Sequence, residues 1–414
     1  MRITKKTSQI QKSMSPTRKP ASSSLYLLAL IVLFSSCVEL ARNRQGLAEQ
    51  TKDEVLRQLV PDKRDLVFEP ELSFVGGDQI LLTGYSENPQ ITDTLIQALN
   101  QLGFSVSDSV NVLPLQKFVD TKALVRLSVA NVKAKPSHSS ELVTQFLLGH
   151  RVRILDEQRG WYRVRGLDNY LGWIEKDAVH IMSTQDVLVW NSAAKAMIDE
   201  ETVARTKAGD VAFDVSKGGV VMQGSRKNGL QEIILADGRR GWIPANALIQ
   251  IEEWQKNQIK QLQADLVLSD AKELLGRPYV WGGTSMRGLD CSGFTKTVFL
   301  QNGWMLPRDA SQQVETGIEV ASDTTEFMSL QPGDLIFFGR KETPTQKQRI
   351  VHVGIALGNG RMIHCAGSVN IESLIAGEPD YNSYRARTFV TAKRLIGLEN
   401  EQGFNWLTEA SFDL

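Results

Sequence analysis

Cysteine is scarce in this chain. Only Cys37, Cys291 and Cys365 occur among 414 residues, which excludes a disulfide-stapled scaffold and leaves each thiol needing its own explanation. Charge of one sign is equally lacking. Lysine and arginine total 47 against 47 aspartates and glutamates, so no basic field points to nucleic acid and no acidic field to a cationic partner. Long apolar runs are missing as well: Leu25 to Phe34 is too short to span a bilayer comfortably. Histidine is rare, with five residues in all. Two of them, His352 and His364, lie C-terminal to Cys291 within the same predicted domain. No Cys-x-x-Cys or His-x-x-x-His spacing offers a metal site, and nothing calls for a cofactor.

What remains is an ordinary globular composition, 42% hydrophobic and 23% charged, in a chain long enough for two to four domains. The N-terminus carries Arg2, Lys5, Lys6, Lys12, Arg18 and Lys19 without an acid, then the short apolar run, then Ser35-Ser36-Cys37. These are the parts of an export signal. Small residues directly before Cys37 resemble the bacterial lipobox, although Phe34 stands where leucine is usual, and the resemblance implies lipidation of Cys37 and a membrane anchor. Residues 1–37 are therefore expected to be the signal segment. Residues 38–120 follow as a polar tether and a small α/β unit, with a strand at Gln79 to Thr83, a helix at Thr92 to Leu102 and a strand at Phe104 to Leu113. No chemistry shows in that region.

An internal repeat organises the middle. Gly172-Trp173-Ile174 with Ala178-Val179 recurs as Gly241-Trp242-Ile243 with Ala247-Leu248, each closing a stretch of short β-rich runs. This predicts two small β-barrels, at 121–183 and 184–252. Five strands are expected in the first, at Leu124–Val129, Leu142–Phe146, Val152–Leu155, Trp161–Val164 and Tyr170–Ile174. After a helix-like linker from Trp254 to Leu268, helices and then antiparallel strands predict an α+β domain at 262–398, with a tail at 399–414.

In that domain Cys291 follows a glycine-rich loop and starts a helix. Free backbone N–H groups and the helix dipole favour an anion there, so a lowered thiol pKa is expected. A hairpin with the three-residue loop Gly358-Asn359-Gly360 would place His364 opposite Gly354, with both imidazoles on one face. Cys291 and His352 can then form a nucleophile and base pair, with His364 as the third polar group. The backbone N–H of Cys291 and the phenol of Tyr279 are suited to an oxyanion. Cys365 falls on the other face of the strand, where core packing is its expected role.

The ordered motifs Tyr279-Val280-Trp281-Gly282-Gly283, Asp290-Cys291-Ser292-Gly293-Phe294, Leu306-Pro307-Arg308, Pro332-Gly333-Asp334-Leu335-Ile336-Phe337-Phe338 and His352-Val353-Gly354-Ile355 resemble those of the NlpC-type cell-wall cysteine peptidases, a papain-like family. The repeat resembles the bacterial SH3-like domains that accompany cell-wall enzymes. These resemblances imply catalytic Cys291, His352, His364 and Tyr279, with Asp290 and Ser292 holding the substrate's amine and backbone. They imply cleavage of peptidoglycan stem peptides after γ-D-glutamate. Members with two SH3-like domains resemble dipeptidyl-peptidases that require a free N-terminal L-alanine, which adds Glu141, Ser140, Tyr170 and Ser311 as binding residues. An amidase or acyltransferase with the same triad, or a non-catalytic wall-binding protein, remains an alternative.

Overall fold

The computed structural model describes residues 42–258, 262–398 and 405–414. The signal segment and Cys37 lie outside the described residues. Among the described residues, no helix is long and apolar enough to cross a membrane. The described residues divide into two compact units, one of residues 42–61 and 68–111, the other of 62–67 and the described residues from 112 onward.

In the smaller unit, a helix over 42–59 accompanies a three-stranded antiparallel sheet of Phe68–Gly76, Gln79–Ser86 and Ser105–Val112. The helix Pro89–Gln101 joins the last two strands, capped where Asn88 accepts from the Gln90 N–H. The sequence pattern anticipated this helix and the two strands flanking it. It missed the first strand, whose burial alternates without a clean apolar period.

The larger unit begins with the β-rich repeat. A five-stranded sheet runs in the order Leu142–Leu147, Val129–Lys133, Leu171–Glu175, Trp161–Arg165, Arg153–Gln158. The expected strand at Leu124–Val129 is in fact two: Ala123–Val125 pairs with Val179–Ile181, and Val129 starts the sheet strand. Between them Arg126 turns away to meet Asp237 at 3.0 Å. The second half of the repeat has a seven-stranded sheet spanning residues 195–250. Both halves close with the Gly-Trp-Ile strand, a single helical turn and one short strand. The repeated glycine has a packing cause. A Cβ on Gly172 would lie 2.4 Å from Val132 Cγ1, and one on Gly241 would lie 2.7 Å from Ala204 Cβ, too close for any side chain.

The anticipated linker helix is likewise two helices, Ile251–Gln258 and Ala264–Glu273. The last part of the chain sets the helix Cys291–Gln301 on a six-stranded antiparallel sheet. Its strands are β1 (Ile318–Ala321), β2 (Leu335–Arg340), β3 (Arg349–Gly358), β4 (Arg361–Ala366), β5 (Ser368–Ser373) and β6 (Phe389–Arg394), in the order β1-β6-β2-β3-β4-β5. The last strand in sequence, β6, lies inside the sheet, between β1 and β2. Phe294, Val298 and Phe299 of the helix are wholly buried against Leu335, Phe337, Val353 and Ile363 of the sheet. Burial of each such side chain contributes about 1.5–3 kcal/mol.

The hairpin β3–β4 keeps Gly354 opposite His364, as anticipated, but by another route. The turn is the two-residue Asn359-Gly360, both with positive φ, at 52° and 69°, a combination that Asn-Gly accommodates. Gly358 pairs with Arg361, and a bulge between Ala356 and Gly358 absorbs the odd residue Leu357. A shorter turn alone would have moved one imidazole to the far face. Turn and bulge together cancel.

A buried ion pair joins the first half of the repeat to the Cys291 helix. Lys296 Nζ lies 3.1 Å from Asp168 Oδ2, with both side chains almost fully enclosed. Burial pulls the Lys296 ammonium pKa down and Asp168 opposes that shift. Removing one partner leaves a buried charge alone, so Lys296→Met is expected to lower unfolding free energy by ~3–5 kcal/mol, read from the denaturant midpoint. The double variant Lys296→Met with Asp168→Leu should recover most of that loss.

Candidate active site

Asp290 builds the site. As the residue before the Cys291 helix, its carboxylate accepts from the Gly293 N–H at 2.7 Å and from the Gly282 N–H at 2.9 Å. The Arg308 guanidinium grips the same carboxylate with both terminal nitrogens, and both residues are buried. One side chain thus fastens the glycine-rich loop, the helix start and the Leu306-Pro307-Arg308 loop. The glycines of the motif follow from this closeness: a Cβ on Gly293 would lie 1.9 Å from Gly283 O. Ser292 is buried too, its Oγ accepting from Arg308 Nη1 at 2.9 Å.

Cys291 takes the first helical position, half-buried. Its sulfur accepts from the backbone N–H groups of Val353 and Ser292, which brings it to the strand that carries His352. The thiol departs from expectation. Burial first, and the Asp290 carboxylate second, push its pKa up to about 11; those two N–H groups and Arg308 offset only part. The helix start does favour an anion, but a dry setting beside a carboxylate outweighs it. Burial also drives the His352 pKa well below the usual imidazole value, with Arg385 and His364 adding to the effect. Both shifts favour a resting pair of neutral thiol and neutral imidazole.

His352 Nε2 and His364 Nδ1 are 2.7 Å apart. His364 Nε2 faces Glu372 Oε2 at 3.0 Å, an ion-pair contact and not a well-formed hydrogen bond. A carboxylate there favours the proton on His364 Nε2. His364 Nδ1 then accepts from the His352 Nε2–H, and the lone pair of His352 is left on Nδ1. Glu372, whose pKa is lowered first by His364, sits on edge strand β5. Sequence reading missed it together with that strand. Cys365 is fully buried and donates to Leu289 O at 3.1 Å.

A cleft of about 510 Å³ opens over Cys291. Tyr279, Asp290, Ser292 and Ser311 line it, joined by Glu141 and Tyr170 from the repeat. The Tyr279 phenol pKa is raised, by burial and then by Cys291, which keeps its proton available for donation. The glycine-rich loop docks on the strand Leu142–Leu147: Thr284 Oγ1 donates to Gln145 O at 2.9 Å and Ser285 Oγ to Gln145 Oε1 at 2.9 Å. Glu141, just before that strand, therefore meets the loop, and Trp281 Nε1 donates to its Oε1 at 2.7 Å. Ser140 plays a different part from the one expected, since its hydroxyl accepts from the Lys135 N–H and holds the loop. The Tyr170 hydroxyl donates to Asp309 Oδ2 at 3.0 Å. One further lining residue, Arg64, comes from the stretch that showed no chemistry in sequence. A lone arginine in a polar segment carries no signal of its eventual neighbours.

A cysteine at a helix start, set against histidines of an antiparallel sheet, defines the class of papain-like thiol peptidases. Comparison with known proteins gives the family. Residues 276–392 match the NlpC/P60 family and residues 128–180 the bacterial SH3 domain. The chain is 30% identical over 246 residues to a gamma-D-glutamyl-L-lysine dipeptidyl-peptidase of Bacillus cereus, covering 55% of this chain and 68% of that one. It is 26% identical over 294 residues to dipeptidyl-peptidase 6 of Lysinibacillus sphaericus, covering 66% and 99%. A crystal structure of an NlpC/P60 family protein from Bacillus cereus shares the fold at a TM-score of 0.54 and 24% identity, over 66% of this chain and 99% of that one. The chain belongs to the NlpC/P60 family and is a cell-wall cysteine peptidase. The family implies peptidoglycan peptides as substrates and a place outside the cytoplasm.

The raised thiol pKa has a direct readout. Alkylation of Cys291 by iodoacetamide in the substrate-free protein, followed by peptide mass spectrometry, is expected to be slow near about pH 7 and to keep rising through about pH 10. A rate already level between about pH 6 and 8 would mark a preformed thiolate–imidazolium pair and contradict the neutral one.

Proposed function

We propose that this protein hydrolyses the γ-D-glutamyl–diamino acid bond of peptidoglycan stem peptides and releases L-Ala-D-Glu from peptides with a free N-terminal L-alanine. The observation that carries the reading is the cleft itself: Glu141 and Tyr170, from the SH3-type region, line the same cavity as Cys291. Of the carboxylates in that cleft, Asp290 is paired with Arg308 and Asp309 with Arg64, which leaves Glu141, bonded to the neutral Trp281 indole, as the one suited to an ammonium group. The names of the relatives point the same way. We read both halves of the β-rich repeat as SH3-like barrels and Cys37 as the lipid-bearing residue of an exported chain.

In this reading His352 takes the thiol proton as Cys291 attacks the γ-carbonyl. Because the resting pair is neutral, proton transfer accompanies attack. The Cys291 N–H and the Tyr279 hydroxyl donate to the oxyanion. Collapse breaks the C–N bond, and the imidazolium returns its proton to the departing amine of the diamino acid. Water, deprotonated by His352, then attacks the thioester and frees the carboxylate and the thiol. His364, with Glu372 behind it, holds the His352 ring in the required tautomer and partly offsets the charge it gains.

The peptide L-Ala-γ-D-Glu-L-Lys, or its diaminopimelate counterpart, tests this by mass spectrometry of the released dipeptide. Cys291→Ala should abolish turnover, by at least ~10³-fold. Glu141→Gln removes a charged partner of the alanine amine and should raise KM by about ten- to hundredfold with a smaller change in kcat. Absence of dipeptide from both peptides would sink the assignment and favour an amidase or acyltransferase use of the same residues.

A further inference from the structure

Arg64 belongs to the short segment of residues 62–67, which precedes the β-rich repeat in sequence and packs with the larger unit. Bonds to Gln312, Asp309 and Ser311 hold the segment there, and one further contact shapes it. Arg64 Nε donates to Asp62 Oδ1 at 2.7 Å, which folds the segment on itself. Gln312 Nε2 donates to Asp62 Oδ2 at 3.2 Å and to Asp65 Oδ1 at 3.0 Å. Arg64 Nη1 reaches Asp309 Oδ2 at 2.5 Å and Ser311 Oγ at 3.1 Å. Asp309 Oδ2 is also the acceptor of the Tyr170 hydroxyl, so one carboxylate oxygen joins this segment, the loop after Pro307 and the first half of the repeat. Burial alone would lower the Arg64 pKa, but Asp62 and Asp309 more than reverse that, and the guanidinium stays charged.

The position matters more than the pairing. A second cavity, of about 440 Å³, adjoins the cleft at Arg64 and is lined also by Asp65, Asp168, Asn169 and Gln312 among others. Arg64, Tyr170, Arg308 and Ser311 line both this cavity and the cleft over Cys291. The two spaces meet at these four residues. Three of the four are fixed by the frame: Arg308 is buried against Asp290, Tyr170 belongs to the repeat, and Ser311 lies within the helical turn Ala310–Gln313. Arg64 alone arrives on an irregular strap whose side chain is 33% exposed, and such segments open at lower cost than sheet or helix.

Resting on the dipeptidyl-peptidase reading above, we propose that Arg64 is a specificity-determining residue: it is the stop that closes the cleft beyond the alanine and makes a free N-terminus a requirement. Glu141 attracts the amine, whereas Arg64 denies room to anything attached to it. Without the guanidinium the two cavities join, and the second offers an acyl group on the alanine nitrogen somewhere to go. Selection by exclusion is then separable from selection by charge.

The test compares two peptides, L-Ala-γ-D-Glu-L-Lys and its N-acetyl form, on the full chain and on Arg64→Ala. Wild type should cleave the free peptide and spare the acetylated one. In Arg64→Ala the ratio of kcat/KM for acetylated over free peptide is expected to rise about tenfold or more, with the free-peptide rate falling severalfold. Arg64→Gln, which keeps most of the side-chain bulk, should show a smaller rise in the same direction and serves if Arg64→Ala does not fold. A folded variant whose overall activity drops while that ratio stays fixed would make Arg64 a merely structural residue and overturn the proposal. If wild type cleaves neither peptide, the dipeptidyl-peptidase reading has failed and the stop falls with it; cleavage of both at equal rates by wild type refutes the stop alone.

Discussion

The site depends on one buried carboxylate. Asp290 accepts from two backbone N–H groups and from the Arg308 fork, and those four donors belong to three separate stretches of chain. A carboxylate this deep is tolerated only because it is fully paired. Its position fixes the helix start, hence the thiol. It also makes the thiol harder to ionise. The interaction that places the thiol is thus one of those that raise its pKa, which ties the framework directly to the order of the chemical steps proposed for it.

That coupling explains why the sequence could be read correctly for position and incorrectly for charge. A cysteine after a glycine-rich loop, followed by Phe294, Val298 and Phe299, does start a helix on a sheet. The periodicity says nothing of how dry the helix start is or which carboxylate lies beside it. Cys291 therefore had the right neighbours and the wrong pKa. Similarly, the hairpin register was read from a three-residue loop and holds for another reason, since the turn is one residue shorter and is offset by a bulge that leaves no mark in an apolar run.

What stayed hidden has a common cause. Glu372, Arg64 and Asp309 act through partners distant in sequence, on an edge strand, an irregular strap and a loop. Single polar residues in such places have no period to betray them. The Gly-Trp-Ile repeat was legible for the opposite reason, because a steric demand met twice in one chain produces the same three residues twice. The contribution of Glu141 to the cleft was visible only through family resemblance. In physical terms it follows from the docking of Thr284 and Ser285 on Gln145, which no pattern within either segment foretells.

The bulge at Leu357 bears on how this enzyme can change over time. His352 and His364 share a face because Leu357 stands outside the ladder, and losing that residue would leave every other pair of the hairpin where it is. A residue lost or gained elsewhere between His352 and Leu357 shifts the parity of the strand, and drawing Leu357 into the ladder shifts it back; a change of two needs no such adjustment. The bulge is thus a one-residue buffer, which lets this strand vary in length while the two rings keep each other's company.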